Sequence, residues 1–182
     1  MAKQKRGKRS LHFDMPPVLT AWASVAGKKE SEGPLQGYFD YTNTDTYFGE
    51  KTWEKAECHM QQIALETLLQ KAGKKPRDVD LVFSGDLLNQ CISSSFALRN
   101  TGLPSLGLYG ACSTMGESLS LAALLIDGGF ARLAAAMTSS HYCTAERQYR
   151  MPVPYGSQRT PTAQWTATAS GCCILGAQGD GP

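Results

Sequence analysis

Several ingredients of common functional classes are scarce in this chain. Its six cysteines, Cys58, Cys91, Cys112, Cys143, Cys172 and Cys173, include no C-x-x-C pair, so no metal site is expected. The most apolar stretch, LSLAALLI, has eight residues, far from the ~20 needed to span a bilayer. The segment SLHFDMPPVLT after the basic start lacks the unbroken apolar core of a signal peptide. Net charge is only +2, too small for a nucleic-acid binder, and no nucleic-acid partner is expected. Histidine occurs three times, at His12, His59 and His141, which limits acid–base chemistry. There is no short-period repeat and no low-complexity tract.

With 182 residues, 42% apolar and 19% charged, the chain reads as one globular domain or as half of a larger two-part fold. Charge is placed unevenly. MAKQKRGKR carries Lys3, Lys5, Arg6, Lys8 and Arg9 and no acid, so residues 1–10 read as a basic disordered tail. Near an anionic membrane each such cation would add about 1 kcal/mol of attraction. Adjacent Cys172 and Cys173 point to opposite faces of a strand, which suits buried free thiols and a reducing, intracellular compartment.

Strand and helix signals alternate. PPVLTAWASVAG reads as a first strand, and the loop after it holds Tyr38, Phe39, Tyr41, Tyr47 and Phe48, a packed lid or partner surface. Thr52 caps a helix whose face carries Trp53, Ala56, Met60, Ile63, Ala64 and Leu68, and Gly73 stops it. Strands LVFS, SLGLYG and LAAAMTSS alternate with helices over SSSFALRN and STMGESLSLAALLIDGG. A long loop, HYCTAERQYRMPVPYGSQRTPTAQW, then leads into a fifth strand, TATASGCCILGAQ. The expected fold class is α/β, a five-stranded, mostly parallel sheet with helices on both faces.

Cys112 stands at a strand-to-helix turn in GLYGACSTMGES, between Gly110–Ala111 and a first helical turn of Ser113, Thr114 and Met115. Amides at such a terminus favour negative charge. They can lower a thiol pKa or receive a carboxylate. A nucleophile also needs a base, and of the three histidines only His141 lies at the carboxyl end of a strand. An inert buried thiol is the even alternative. The loop after His141 places Arg147, Arg150 and Arg159 among Tyr142, Tyr149, Tyr155, Trp165, Gln148, Gln158 and Gln164. Guanidiniums suit bidentate carboxylate recognition and aromatic faces suit a flat ring. A loop tied down by its own hydrogen bonds is the competing reading. Asp86, Asn89 and Gln90 in SGDLLNQC either line the same mouth or form a plain connection.

AGKKPRDVDLVFSGD, GLYGACSTMGESL and SGCCILGAQGDG resemble the thiolase superfamily, in which a cysteine heads a helix at this junction. TSSHYCTAERQYR and YGSQRTPTAQWTATASG narrow the resemblance to a sporulation family within it, that of stage V sporulation protein AD. The likeness runs from about residue 11 to the end, so residues 11–182 are expected to be the amino-terminal thiolase-like domain, with the carboxy-terminal half absent. Surfaces that would meet that half should then be exposed. The resemblance implies non-catalytic binding of dipicolinic acid (pyridine-2,6-dicarboxylate) or its calcium chelate, for uptake into the forespore and release in germination. It also implies membrane proteins of the same sporulation channel complex as partners, a peripheral place at the spore inner membrane, a homodimer, and no cofactor. The ligand-binding set it suggests is Asp86, Asn89, Cys112, Ser113, Thr114, His141, Tyr142, Arg147, Gln158, Arg159 and Trp165. The alternative is an acyl-transfer or acyl-condensing enzyme with Cys112 as nucleophile.

Overall fold

The computed structural model describes residues 5–88, 91–149, 166–179 and 181. In chain order the elements are β1 Lys5–Arg6, β2 Ser10–Leu11, β3 Val18–Ala26, the single turn α1 Lys28–Ser31, and β4 Tyr41–Thr42. Then come α2 Trp53–Ala72, β5 Leu81–Asp86, α3 Ile92–Leu98, β6 Ser105–Leu108, α4 Thr114–Asp127, β7 Leu133–Ser140, α5 Tyr142–Tyr149 and β8 Ala169–Gly176. β1 and β2 pair antiparallel across Gly7, and every residue from 6 to 11 is exposed. The other strands form one sheet in the order β4-β3-β8-β7-β5-β6.

This sheet has six strands rather than five, because the aromatic loop adds β4 beside β3. Three of its five pairings are parallel, and β8 runs antiparallel to both β3 and β7. Parallel neighbours need a crossover that returns the chain to its starting edge. β7 ends at one edge of the sheet and β8 starts at that same edge, so β8 has to run back.

Helices cover both faces, as the alternation of signals implies. Along β3 the side chains of Ala21, Ala23 and Val25 are buried on one side, the period of two expected of a strand. They meet α2 through Ala56, Met60, Ala64, Leu65, Leu68 and Leu69. Thr52 caps α2 by accepting from the Lys55 amide at 3.3 Å, and Gly73 ends it in the left-handed region at φ 61°. On the opposite face α4 sets Ala122, Ala123 and Ile126 against Phe83, Ala134, Ala136 and Cys173. The small residues of β7 serve both layers, Ala135 and Met137 toward α2, Ala134 and Ala136 toward α4. Cys172 and Cys173 fall on opposite faces, both buried and unbridged.

Gly85 sets how closely α4 approaches the sheet. A Cβ there would lie 2.4 Å from Thr114 Cγ2 and 2.5 Å from the Leu108 carbonyl oxygen. Only glycine lets the start of α4 rest against β5. Beyond α4 the same face is less covered: Trp22, opposite Cys173 in the ladder, is 56% exposed, and Leu124 and Phe130 are also exposed.

Candidate functional site

β3, β5, β6 and β7 end at one edge of the sheet, where β8 begins, and the sequence-derived candidates gather there. The chain leaves β6 through Tyr109 and Gly110, makes a 3-10 turn over Ala111–Ser113, and enters α4. Ala111 has φ +49°, an uncommon conformation for a residue with a side chain. Gly110 carries no Cβ because one would meet Ser113 Oγ at 2.6 Å and Glu117 Oε2 at 2.7 Å. The turn is tied internally. Thr114 Oγ1 donates to the Ala111 carbonyl at 2.8 Å and accepts from the Gly110 amide at 3.1 Å, while Ser113 Oγ donates to the Gly110 carbonyl at 2.7 Å. The Ser113 amide donates to the Gly110 carbonyl and the Thr114 amide to that of Ala111. The two amides following Cys112 are therefore engaged within the turn.

Cys112 itself is exposed. It borders an open cavity of about 450 Å³ lined by Leu87, Met115, Thr138, Ser139, Ser140 and Thr166, together with Ala111, Ala167, Ala169 and Gly171. Thr138, Ser140 and Thr166 bring hydroxyl-bearing side chains to this lining, whereas Ser139 turns its hydroxyl to α2 on the other face of the sheet. Among the described residues, the Cys112 thiol is the one titratable group in its lining.

His141 lies elsewhere. Its ring is buried, Nδ1 accepts from the Cys143 amide at 3.2 Å, and Nε2 therefore carries the proton and donates to the Thr46 carbonyl at 2.8 Å. Burial lowers its pKa, partly offset by the Thr46 carbonyl and Glu30. With Tyr142, His141 lines a separate cavity of about 300 Å³ beside Lys28, Glu30 and Thr46. The expectation of a base for Cys112 at this position is corrected: the ring holds the β7–α5 corner together, with both nitrogens occupied.

The remaining candidates divide. Asp86 is buried and does not line the mouth. Its carboxylate accepts from the Leu88 and Ser94 amides and from Ser94 Oγ, at 3.1, 2.9 and 2.9 Å, which fixes the start of α3. The stretch after His141, expected as loop, begins with α5. On it Arg147 pairs with Glu54 and lies 6.0 Å from the Trp53 ring centroid, so it faces α2 rather than Cys112. Asn89, Gln158, Arg159 and Trp165 lie outside the described residues, as do Gln90, Arg150, Tyr155 and Gln164. In the aromatic loop Phe48 is buried, Tyr47 stacks on Trp53 at 6.1 Å, and Tyr38 is exposed.

Two features escaped the sequence. Tyr149 donates to the Leu87 carbonyl and accepts from Tyr109 at 2.7 Å, tying α5 to the rim of the cavity. Burial, reinforced by the Tyr109 hydrogen bond, pushes its hydroxyl pKa up. Across the sheet from this cavity, on the α2 side, lies a buried polar cluster. Ser139 Oγ donates to Glu57 Oε1 at 2.8 Å and accepts from Gln61 Nε2 at 2.6 Å. Thr144 Oγ1 lies 3.1 Å from Glu57 Oε2 and 3.0 Å from the His141 carbonyl. Burial, aided by the nearby Asp86 charge, raises the Glu57 carboxyl to about 7 despite its hydroxyl donors. Glu57 and Gln61 sit four residues apart on the apolar face of α2, and that spacing is the signal that could have exposed them.

This arrangement of a mixed sheet, two helical layers and a cysteine heading a helix is that of the thiolase-like fold. The 3-oxoacyl-[acyl-carrier-protein] synthase III of Aquifex aeolicus VF5 matches 90% of this chain and 55% of its own, with TM-score 0.58 and 14% identity. Xanthomonas campestris OleA (H285N) matches 90% and 57%, with TM-score 0.59 and 13% identity. At such identities the likeness concerns the fold alone. The family model of stage V sporulation protein AD (SpoVAD) matches residues 7–182. Stage V sporulation protein AD of Bacillus subtilis (strain 168) is 41% identical over 169 residues, covering 93% of this chain and 50% of the relative. The chain belongs to the stage V sporulation protein AD family. It spans about half the length of the proteins it matches.

Proposed function

We propose that this chain binds dipicolinate, free or as its calcium chelate, at the Cys112 cavity without turning it over, and serves its uptake into the forespore and its release in germination. The observation that carries this reading is the lining of the cavity: Thr138, Ser140 and Thr166 around an exposed thiol, with no base in that lining among the described residues. Hydroxyl donors suit carboxylate oxygens, and Leu87 and Met115 suit a flat ring. Arg147, held by Glu54, is removed from the ligand set. Arg159 and Gln158 remain proposed contributors, and membrane proteins of the same sporulation complex remain the proposed partners. The proposed place is at the spore inner membrane, as a peripheral protein; no helix among the described residues is long and apolar enough to cross a membrane.

Calorimetric titration with dipicolinate, with and without calcium, tests the reading. It is run on the chain alone and on the chain joined to the second half of the Bacillus subtilis relative. Saturable heat in either supports it, and none in both overturns it.

The exposed thiol after the strained Ala111 favours a second reading, acyl transfer at Cys112. Incubation with an acyl thioester followed by mass spectrometry decides: a stoichiometric adduct lost in Cys112→Ser would replace binding with catalysis.

A further inference from the structure

The first acid of the chain is Asp14, and Lys3, Lys5, Arg6, Lys8 and Arg9 all precede it. Like charges so close together repel, which favours a solvated, extended chain. The stretch turns back on itself instead. Gly7 takes φ +62°, and β1 pairs with β2 so that Arg6 stands opposite Ser10 and Lys5 opposite Leu11. The hairpin joins no other strand, and residues 6–11 are exposed throughout. Among the described residues, no ion pair joins Arg6, Lys8 or Arg9 to an acid. The domain thus gathers charge of one sign on a projection and leaves it unneutralised.

Apolar side chains stand around the foot of this projection. Leu11 is 61% exposed and Met15 62%. The Met15 amide donates to Asp127 Oδ1 at 2.7 Å, which fixes the chain after the hairpin to the carboxyl end of α4. Phe130, in the turn that follows α4, is 82% exposed. Cations beside exposed Leu, Met and Phe suit an anionic bilayer surface, where headgroups meet the charges and the acyl boundary takes the apolar side chains. A soluble polyanion would engage the cations and leave those three side chains in water.

We propose that the β1–β2 hairpin, with Leu11, Met15 and Phe130, docks this chain directly on an anionic lipid surface. This rests on the peripheral membrane place proposed above and adds a lipid contact that needs no membrane protein. The fold also sets an orientation. α4 begins at the Cys112 turn and runs back along the sheet to Asp127, so the docking surface lies at the opposite end of the domain from the Cys112 cavity. The docked chain keeps that cavity open to ligand in solution.

Co-sedimentation with protein-free vesicles tests the proposal. The chain should bind vesicles of mixed phosphatidylglycerol and phosphatidylcholine, less so as salt rises, and should stay in solution with phosphatidylcholine alone. Arg6→Ala, Lys8→Ala and Arg9→Ala together should weaken binding by about 100-fold. Leu11→Ser with Met15→Ser should weaken it by about tenfold, and Phe130→Ser by about threefold. All six positions are exposed, so these variants fold. Alkylation of Cys112 by iodoacetamide should run equally fast with and without vesicles.

Equal binding to both kinds of vesicle, or full binding by the triple alanine variant, overturns the cationic contact. Displacement by inorganic polyphosphate, with no effect of the Leu11, Met15 and Phe130 variants, assigns the cations to a soluble polyanion and overturns the lipid contact. Shielding of Cys112 on the vesicles overturns the orientation. Because these vesicles hold no protein, failure on them strikes the lipid contact alone. The peripheral place itself falls only if the chain also fails to sediment with vesicles holding the sporulation membrane proteins.

Discussion

Two cavities open at the same sheet edge, and both touch Thr166. On one side Cys112 is exposed among neutral hydroxyls. On the other His141 is buried, with each ring nitrogen bonded to backbone. Cysteine and histidine, the pair that sequence reasoning would join in catalysis, serve opposite purposes here. One faces solvent where a ligand can reach it, and the other closes a corner. Being at the right edge of a sheet does not make two residues partners, because successive strands turn their ends toward different neighbours.

The largest expected effect falls on the His141 side. His141→Ala leaves the Thr46 carbonyl and the Cys143 amide without partners and opens a void, and should destabilise by about 4 kcal/mol in urea unfolding. Native-state alkylation of Cys112 should hardly change. A matching loss of alkylation would break the separation of the two cavities.

Glu57 lies on the α2 side of the sheet, bonded to Ser139 of β7 and to Thr144 at the His141 corner. Its folded carboxyl is raised from 4.5 to about 7, so the folded state holds a proton that the unfolded chain releases. The contribution of Glu57 is therefore fully present below about pH 4.5 and is lost as pH rises to about 7. The total is on the order of 3 kcal/mol. Comparing pH-dependent unfolding of the native chain with Glu57→Gln isolates this slope from that of His141, whose buried ring weakens the fold as pH falls. Parallel curves would remove Glu57 from the ledger.

On the Cys112 side, Gly85→Ala forces a methyl against Thr114 and the Leu108 carbonyl. It should lower stability by about 2–3 kcal/mol and alter Cys112 alkylation while leaving the His141 corner intact. Amide exchange at Cys143 would report that corner. The smallest effect belongs to Arg147→Ala, which touches neither cavity. Its exposed pair with Glu54 and its contact with Trp53 are worth about 0.5–1 kcal/mol in thermal unfolding, with dipicolinate affinity unchanged. A clear loss of affinity would return Arg147 to the ligand set.

Much of the fold was legible. The alternation in VLTAWASVA, the cap at Thr52, the stop at Gly73 and the cysteine pair split across β8 all follow from local periodicity and turn chemistry. β4 was not legible, because two residues carry no period and gain their structure only by lying beside β3. The direction of β8 was also hidden, since it depends on which edge the preceding segment returns to. At the site, Cys112 was readable as the head of a helix. The roles of Asp86 and Arg147 were not, because each satisfies its charge with a group far along the chain or in another element. Ser139 was invisible for the same reason: its neighbours Glu57 and Gln61 are 82 and 78 residues away.

By itself, then, the sequence determined most of the elements, the cysteine at a helix start and the family likeness, all of which rest on residues close together in the chain. Only the tertiary structure decided which polar groups meet. Hydrogen-bond partners at the buried ends of strands are set by how layers pack, and a buried carboxylate takes its charge state from whatever that packing brings beside it.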